Sequence, residues 1–231
     1  MRLHSRIVSL GLAFALVVPL AFPRAGYGDD SLKKLTDILG ALGKAGPAGN
    51  LIVNGGFEQP AVQQGRYLNV PVGQAFDGWE VVGTGIVSPI SGDYAQDGIR
   101  FVAHGGKQWL DMTGPGTNQP AGVQQTVRTQ PGANYELAFW VGNVAGSRMG
   151  TSSTIEVFVD GRSLGTARND RSIAGQQGWG LFRMPLVAAG NSMTIAFINR
   201  DPASDNSNGL DDVSLVPVAA AAAPATPAGT Q

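Results

Sequence analysis

Carboxylates and tryptophans are the side chains whose types and spacing point to chemistry in this sequence. Near the start of the body stands Asn50-Leu51-Ile52-Val53-Asn54-Gly55-Gly56-Phe57-Glu58, and near its end Gly209-Leu210-Asp211-Asp212-Val213-Ser214-Leu215. The Leu51/Val53 and Val213/Leu215 alternations predict two strands anchored in one core. Asp211 shares the parity of Val213 and Leu215, so its carboxylate is expected to point inward or along a sheet edge. A buried carboxylate is unfavourable unless it is paired or metal-bound. Gly55 and Gly56 let the backbone bend and present carbonyl oxygens beside Glu58, and carboxylates with carbonyls are hard oxygen ligands that suit Ca²⁺. The same pattern is compatible with Asp211 meeting an arginine or backbone amides and Glu58 ending a strand in solvent.

The tryptophans divide by parity. Trp79 shares its face with Val81 and reads as core, whereas the orientation of Trp179 stays open. Trp109 and Asp111 oppose Leu110 and Met112, and Trp140 and Glu136 oppose Phe139. Trp109 and Trp140 are therefore expected on the outer or concave face of a sheet, with Arg183 of like parity on another strand. An aromatic platform flanked by planar polar groups is an arrangement that stacks on sugar rings. Covering loops, drawn from 60–76 or 84–97, would instead make both rings a second core.

Several chemistries are excluded or unsupported. The chain has no cysteine, which removes disulfides, thiolate metal sites and thiol catalysis, and its two histidines are too few for a multi-histidine zinc site. His104 has no Gly-x-Ser-x-Gly elbow beside it for a Ser-His-Asp triad. No phosphate loop is present. Paired carboxylates for glycoside hydrolysis are not marked out by any motif. The expectation is a non-catalytic protein. With 16 basic against 17 acidic residues there is no basic stripe for nucleic acid.

These residues need elements to position them. The chain has 231 residues, 33 of them Gly and 14 Pro, and is 43% hydrophobic, which fits short buried strands joined by many turns. Period-two patterns predict strands at 51–58, 79–83, 99–104, 107–112, 122–127, 134–143, 153–159, 162–167, 180–187, 192–198 and 209–216. Asp160-Gly161 is a two-residue hairpin turn, and Asp97-Gly98, Pro131-Gly132 and Ala189-Gly190-Asn191 mark others. Strands without a long helix predict an all-β antiparallel sandwich, a jelly roll, over residues 50–218.

The flanks read differently. Residues 1–28 are expected to be a cleaved signal peptide: Arg2, His4 and Arg6 precede an apolar run from Ile7 to Phe22, and small residues follow at Gly26 and Gly28. That run is short for a bilayer span, so no membrane span is expected after cleavage. Removing Arg2, Arg6 and Arg24 leaves 13 basic against 17 acidic residues, a net charge of −4. Residues 29–49 are expected to form a short helix with Leu32, Leu35, Ile38, Leu39 and Leu42 on one face, then a linker. The Ala/Pro-rich 219–231 segment reads as a disordered tail.

NLIVNGGFEQP, a following Gly78-Trp79, GKQWLDMTG before GVQQTV, QPGANYELAFWVGN and GLDDVSLV occur in an order that resembles galactose-binding-like carbohydrate-binding modules. The pattern is most similar to the secreted family called domain of unknown function 642, and covers about residues 50–217. The resemblance implies a β-sandwich with a structural Ca²⁺ joining its first and last strands. It implies Glu58 and Asp211 as ligands, Asp212 as the less favoured alternative, and backbone oxygen near Gly56. The combined expectation is a protein secreted or held in the periplasm or bacterial envelope that binds polysaccharide or glycan through Trp109, Trp140, Asp111, Glu136 and Arg183. An envelope scaffold binding protein partners and a minimal glycoside hydrolase are the alternatives.

Overall fold

A computed structural model describes residues 49–115, 118–146, 149–171, 173–202 and 207–218. The expected signal peptide, helix and tail lie outside the described residues. The strands in chain order are β1 (Val70–Pro71), β2 (Ala75–Phe76), β3 (Trp79–Gly83), β4 (Ile86–Ser91), β5 (Ala95–Gln96), β6 (Ile99–Arg100) and β7 (Gln108–Asp111). They continue as β8 (Ala121–Arg128), β9 (Asn134–Asn143), β10 (Ser153–Val159), β11 (Arg162–Asn169), β12 (Gly178–Val187), β13 (Ser192–Asn199) and β14 (Gly209–Pro217). Two six-stranded antiparallel sheets, ordered β1-β4-β7-β14-β9-β12 and β11-β10-β13-β8-β3-β2, face each other as a jelly-roll sandwich. Strands β5 and β6 form a separate hairpin. Among the described residues no helix is long and apolar enough to cross a membrane.

Alternation builds the layers. On β9, Tyr135, Leu137, Phe139 and Val141 enter the inter-sheet core, while Glu136 and Trp140 face away. The second sheet returns Val123, Ile155, Val157, Ile195 and Phe197 to the same core. Trp79 stacks on Phe57 with centroids 5.3 Å apart, Phe139 meets Phe197 edge-on at 5.0 Å, and the Trp79 indole N–H donates to the Asn54 carbonyl at 3.0 Å. Each fully buried large side chain contributes roughly 1.5–3 kcal/mol. Asp77-Gly78, Asp97-Gly98 and Asp160-Gly161 each take two successive positive φ angles, the left-handed pair that matches strand twist in tight hairpins.

Three strand expectations are revised. Residues 51–58 form a turn rather than a strand, with a single bridge at Val53. There Ile52 and Phe57 are fully buried while Leu51 and Val53 are half-buried, so the Leu51/Val53 parity is inverted. Of residues 99–104 only Ile99–Arg100 is strand. Strand β4, with Pro89 in its middle, was hidden by a residue that reads as a strand breaker.

The two ends of the body lie side by side. The Leu51 amide donates to the Leu215 carbonyl at 2.9 Å, and the Val213 amide to the Gly55 carbonyl at 2.9 Å. Asn50 completes this clasp: its Oδ1 accepts the Ile52 and Leu215 amides at 3.0 and 2.8 Å. A Cβ on Gly55 would collide with the Val213 carbonyl, which is why the turn carries glycine there.

Candidate functional site

The outward face of the first sheet carries Ile90 on β4, Trp109 on β7, Trp140 on β9 and Trp179 on β12. A strap, residues 101–107, runs over it. The Trp109 indole donates to the Phe101 carbonyl at 3.1 Å and the Trp179 indole to the Val102 carbonyl at 3.0 Å. His104 stacks on Trp140 at 3.7 Å between centroids. Ile90, Phe101, Trp109, Val144 and Met149 thus make a second core outside the sandwich, with Tyr94, Ile99, Ala103 and Trp179 packed against it. Trp109 and Trp140 do share the outward face, but they do not form an open platform. Trp109 is 2% exposed, and one face of Trp140 is taken by His104. The physical reason is that the protein's own strap satisfies the indoles and covers their apolar area. Glu136 and Arg183 pair with each other on the outer face, away from the residues that line the cleft described below.

The acidic group lies beside the strap. Between Asp211 and Ser214 the β14–β9 register shifts, and Asp212 adopts a positive φ of 46°. This bulge lets both Leu210 and Val213 enter the core, and it places Asp211 opposite Trp140 on the outward face. Asp211 therefore does not share the parity of Val213, as simple alternation would have it. It is nevertheless fully buried, because the strap covers it. Its Oδ2 accepts the His104 and Gly105 amides at 2.9 and 3.2 Å, and its Oδ1 the Asp212 amide at 2.7 Å. Burial, with the neighbouring Asp212 charge adding, pushes the Asp211 carboxyl from its ordinary 3.8 to about 8, against the opposing pull of those amides. Asp212 meets His104 Nδ1 at 2.6 Å, and Glu58 Oε1 accepts the Lys107 and Gln108 amides at 2.6 and 3.0 Å.

Gly56 sits among these carboxylates. A Cβ there would fall 3.4 Å from Asp212 Oδ1 and 3.9 Å from both Asp211 Oδ1 and Glu58 Cγ. Gly105 and Gly106 have no room for side chains beside Asp212 and Glu58. The structure thus brings Glu58, Gly56, Asp211 and Asp212 to one place. Among the described residues no three acidic or histidine side chains converge into a ready coordination group, so a cation here would also need backbone oxygen.

A cleft of about 400 Å³ opens on the same face, between the β5–β6 hairpin and strands β4 and β7. Sequence reasoning placed Asp111 and Trp109, both of which line this cleft, in such a site and missed Tyr67 and Tyr94. Tyr67 and Tyr94 meet edge-on at 5.8 Å, and Tyr94 leans on Phe101 at 5.7 Å. Asp97 and Gln96 come from the hairpin tip, and Ser88 and Asp111 from the sheet. Asp111 Oδ1 accepts the Thr113 amide and hydroxyl at 2.9 and 2.7 Å, while burial pushes its carboxyl above the usual range. Tyr67 and Tyr94 lie outside every predicted strand, and β5 is two residues long, too short for periodicity to flag.

Among solved structures, the chain is similar to the enzymatically active domain of bacteriophage CBA120 tailspike protein 4, at 14% identity and a TM-score of 0.43, over 75% of this chain. It spans 22% of that protein's length. It is similar to a family 16 carbohydrate-binding module at 20% identity and a TM-score of 0.38, over 72% of this chain and 99% of the module. The CBM22-1 xylan-binding domain of Paenibacillus barcinonensis Xyn10C has 20% identity and a TM-score of 0.40, over 70% of this chain and all of that domain. No curated protein matches the sequence. The model of the family described as protein of unknown function DUF642 matches residues 50–215, nearly the whole sandwich, and the chain belongs to that family.

Proposed function

We propose that this protein is an exported, non-catalytic carbohydrate-binding protein of the cell envelope or its surroundings. One observation carries the reading: the cleft joins the exposed Tyr67 ring and the half-buried Tyr94 ring to planar polar groups. Tyr67 and Tyr94 offer faces for sugar C–H groups, and Gln96, Asp97 and Asp111 offer hydrogen-bond partners. Its volume suits one or two sugar residues of a longer polysaccharide. The non-catalytic part of the reading is supported by His104, which stacks on Trp140 and bonds Asp212, and by Asp111, whose Oδ1 is engaged by Thr113. Export is supported by the leader pattern of residues 1–28.

The reading includes one structural Ca²⁺ held by Glu58, Asp211 and Asp212 with backbone oxygen at Gly56. Its support is the fully buried Asp211 carboxylate, which has a second acid beside it and no Lys or Arg bonded to it among the described residues. The donors are all hard oxygen, which fits Ca²⁺ in kind.

Affinity electrophoresis through gels containing soluble polysaccharides tests sugar binding. Retardation in at least one gel is expected, reduced by Tyr94→Ala and Tyr67→Ala at unchanged melting temperature. Retardation that survives both substitutions would remove the cleft from the reading, and none on any polysaccharide would overturn it. Release of reducing sugar would overturn its non-catalytic part.

A further inference from the structure

The charged side chains lining the cleft are, among the described residues, all acidic: Asp97 at the hairpin tip and Asp111 at the floor. No Lys, Arg or His lines it there. The two tyrosine hydroxyls stand in this same field. Burial raises Tyr94 above its ordinary pKa, and the charges of Tyr67, Asp111 and Asp97 add to that rise. A further group waits at the edge: Ser207, 3% exposed, lines the cleft, and its Oγ has no hydrogen-bond partner among the described residues. A buried hydroxyl in that state is unfavourable unless a ligand or water completes it.

Resting on the sugar-binding reading, we propose that this cleft selects sugars bearing a protonated amine, such as glucosamine oligomers, over acetylated or uronic acid sugars. An ammonium group between two carboxylates makes charge-assisted hydrogen bonds. The tyrosine faces add attraction for a cation together with contact to sugar C–H groups. Ser207 Oγ takes a sugar hydroxyl. A uronate carboxylate entering the same space meets two like charges and, among the described residues, no basic partner, and an N-acetyl group brings bulk without charge.

Titration calorimetry on the full chain, in about 0.15 M salt to screen the protein's overall negative charge, tests this with tetramers of glucosamine, N-acetylglucosamine and galacturonate. The glucosamine tetramer is expected to bind about tenfold more tightly than the acetylated one, and galacturonate to give no heat. Asp97→Asn keeps a residue that tolerates the positive φ of 52° at this turn, and is expected to lower the preference by about threefold. Asp111→Asn is expected to abolish the preference, Tyr94→Ala to weaken both ligands, and Ser207→Ala to weaken both equally. Asp160→Asn, on another hairpin, is expected to change nothing.

Equal affinity for the amino and acetylated tetramers, both lost in Tyr94→Ala, would overturn the amine preference and leave sugar binding standing. Absence of binding by all tetramers, with no polysaccharide retarding the protein, would overturn both. A preference unchanged in folded Asp97→Asn and Asp111→Asn proteins would overturn the assignment to this cleft. Displacement by spermine as effective as by glucosamine tetramer would show a bare cation site and overturn the sugar.

Discussion

Asn50→Ala tests how the two ends of the sandwich are held. The substitution removes the Oδ1 that accepts the Ile52 and Leu215 amides, and the Nδ2 that lies 3.4 Å from the Val213 carbonyl. Asn50 is 7% exposed, so water does not readily replace these bonds. Leaving a buried donor unsatisfied costs about 1–3 kcal/mol, and two such donors bring the expected loss to about 2–6 kcal/mol. For a domain of this size each kcal/mol lowers the melting temperature by about 2–4 °C, so a fall of about 4–24 °C is expected. Urea unfolding followed by tryptophan fluorescence measures the free energy, and calorimetry the temperature. Asn50→Asp retains the acceptor and is expected to lose less. Because the clasp uses backbone amides and not an ion, the loss from Asn50→Ala is expected with calcium or with chelator alike. A loss below about 0.5 kcal/mol, the range of an ordinary surface substitution, would refute the reasoning.

Asp211 gives a pH test. With its folded value near 8 and its unfolded value near 3.8, the folded state binds more protons between them. Its stabilising contribution is therefore complete below about pH 3.8 and lost as pH rises through about 8. In chelator the Asp211→Ala protein, lacking this carboxyl, is expected to show a smaller fall in melting temperature over that window than the unsubstituted chain. Calcium is expected to raise the melting temperature of the unsubstituted chain more at pH 8 than at pH 4, and identical calcium-free and calcium-loaded curves would reject the ion. Trp109→Ala is expected to cost about 3–5 kcal/mol by emptying the second core, while Trp109→Phe costs less. A stable Trp109→Ala protein that has merely lost sugar binding would contradict the placement of that ring.

Much of the architecture was legible in the residue pattern because alternation is local. The period-two run at 134–143 is β9, residue for residue, and Asp160-Gly161 turns β10 into β11. Trp79 reads as core from its parity with Val81 and is core. The approach of Glu58 to Asp211 and Asp212 was legible through the resemblance, which carries long-range information that spacing does not. Strands β4 and β5 were not legible: Pro89 masks the first, and a two-residue strand has no period, whereas the Asp97-Gly98 turn and the start of β6 were.

Local residue order carries which positions alternate, which turns take left-handed pairs, and which family's pattern the chain follows. What covers each face depends on contacts between segments far apart in the chain. One bulged residue near Asp212 reverses the parity inferred for Asp211, since an extra residue in a strand flips every side chain beyond it. Parity also sends Trp109 and Trp140 outward, but it says nothing about a distant strap whose carbonyls accept the Trp109 and Trp179 indoles and whose His104 stacks on Trp140. That contact turns an expected sugar platform into a second core and leaves Tyr67 and Tyr94 as the accessible rings.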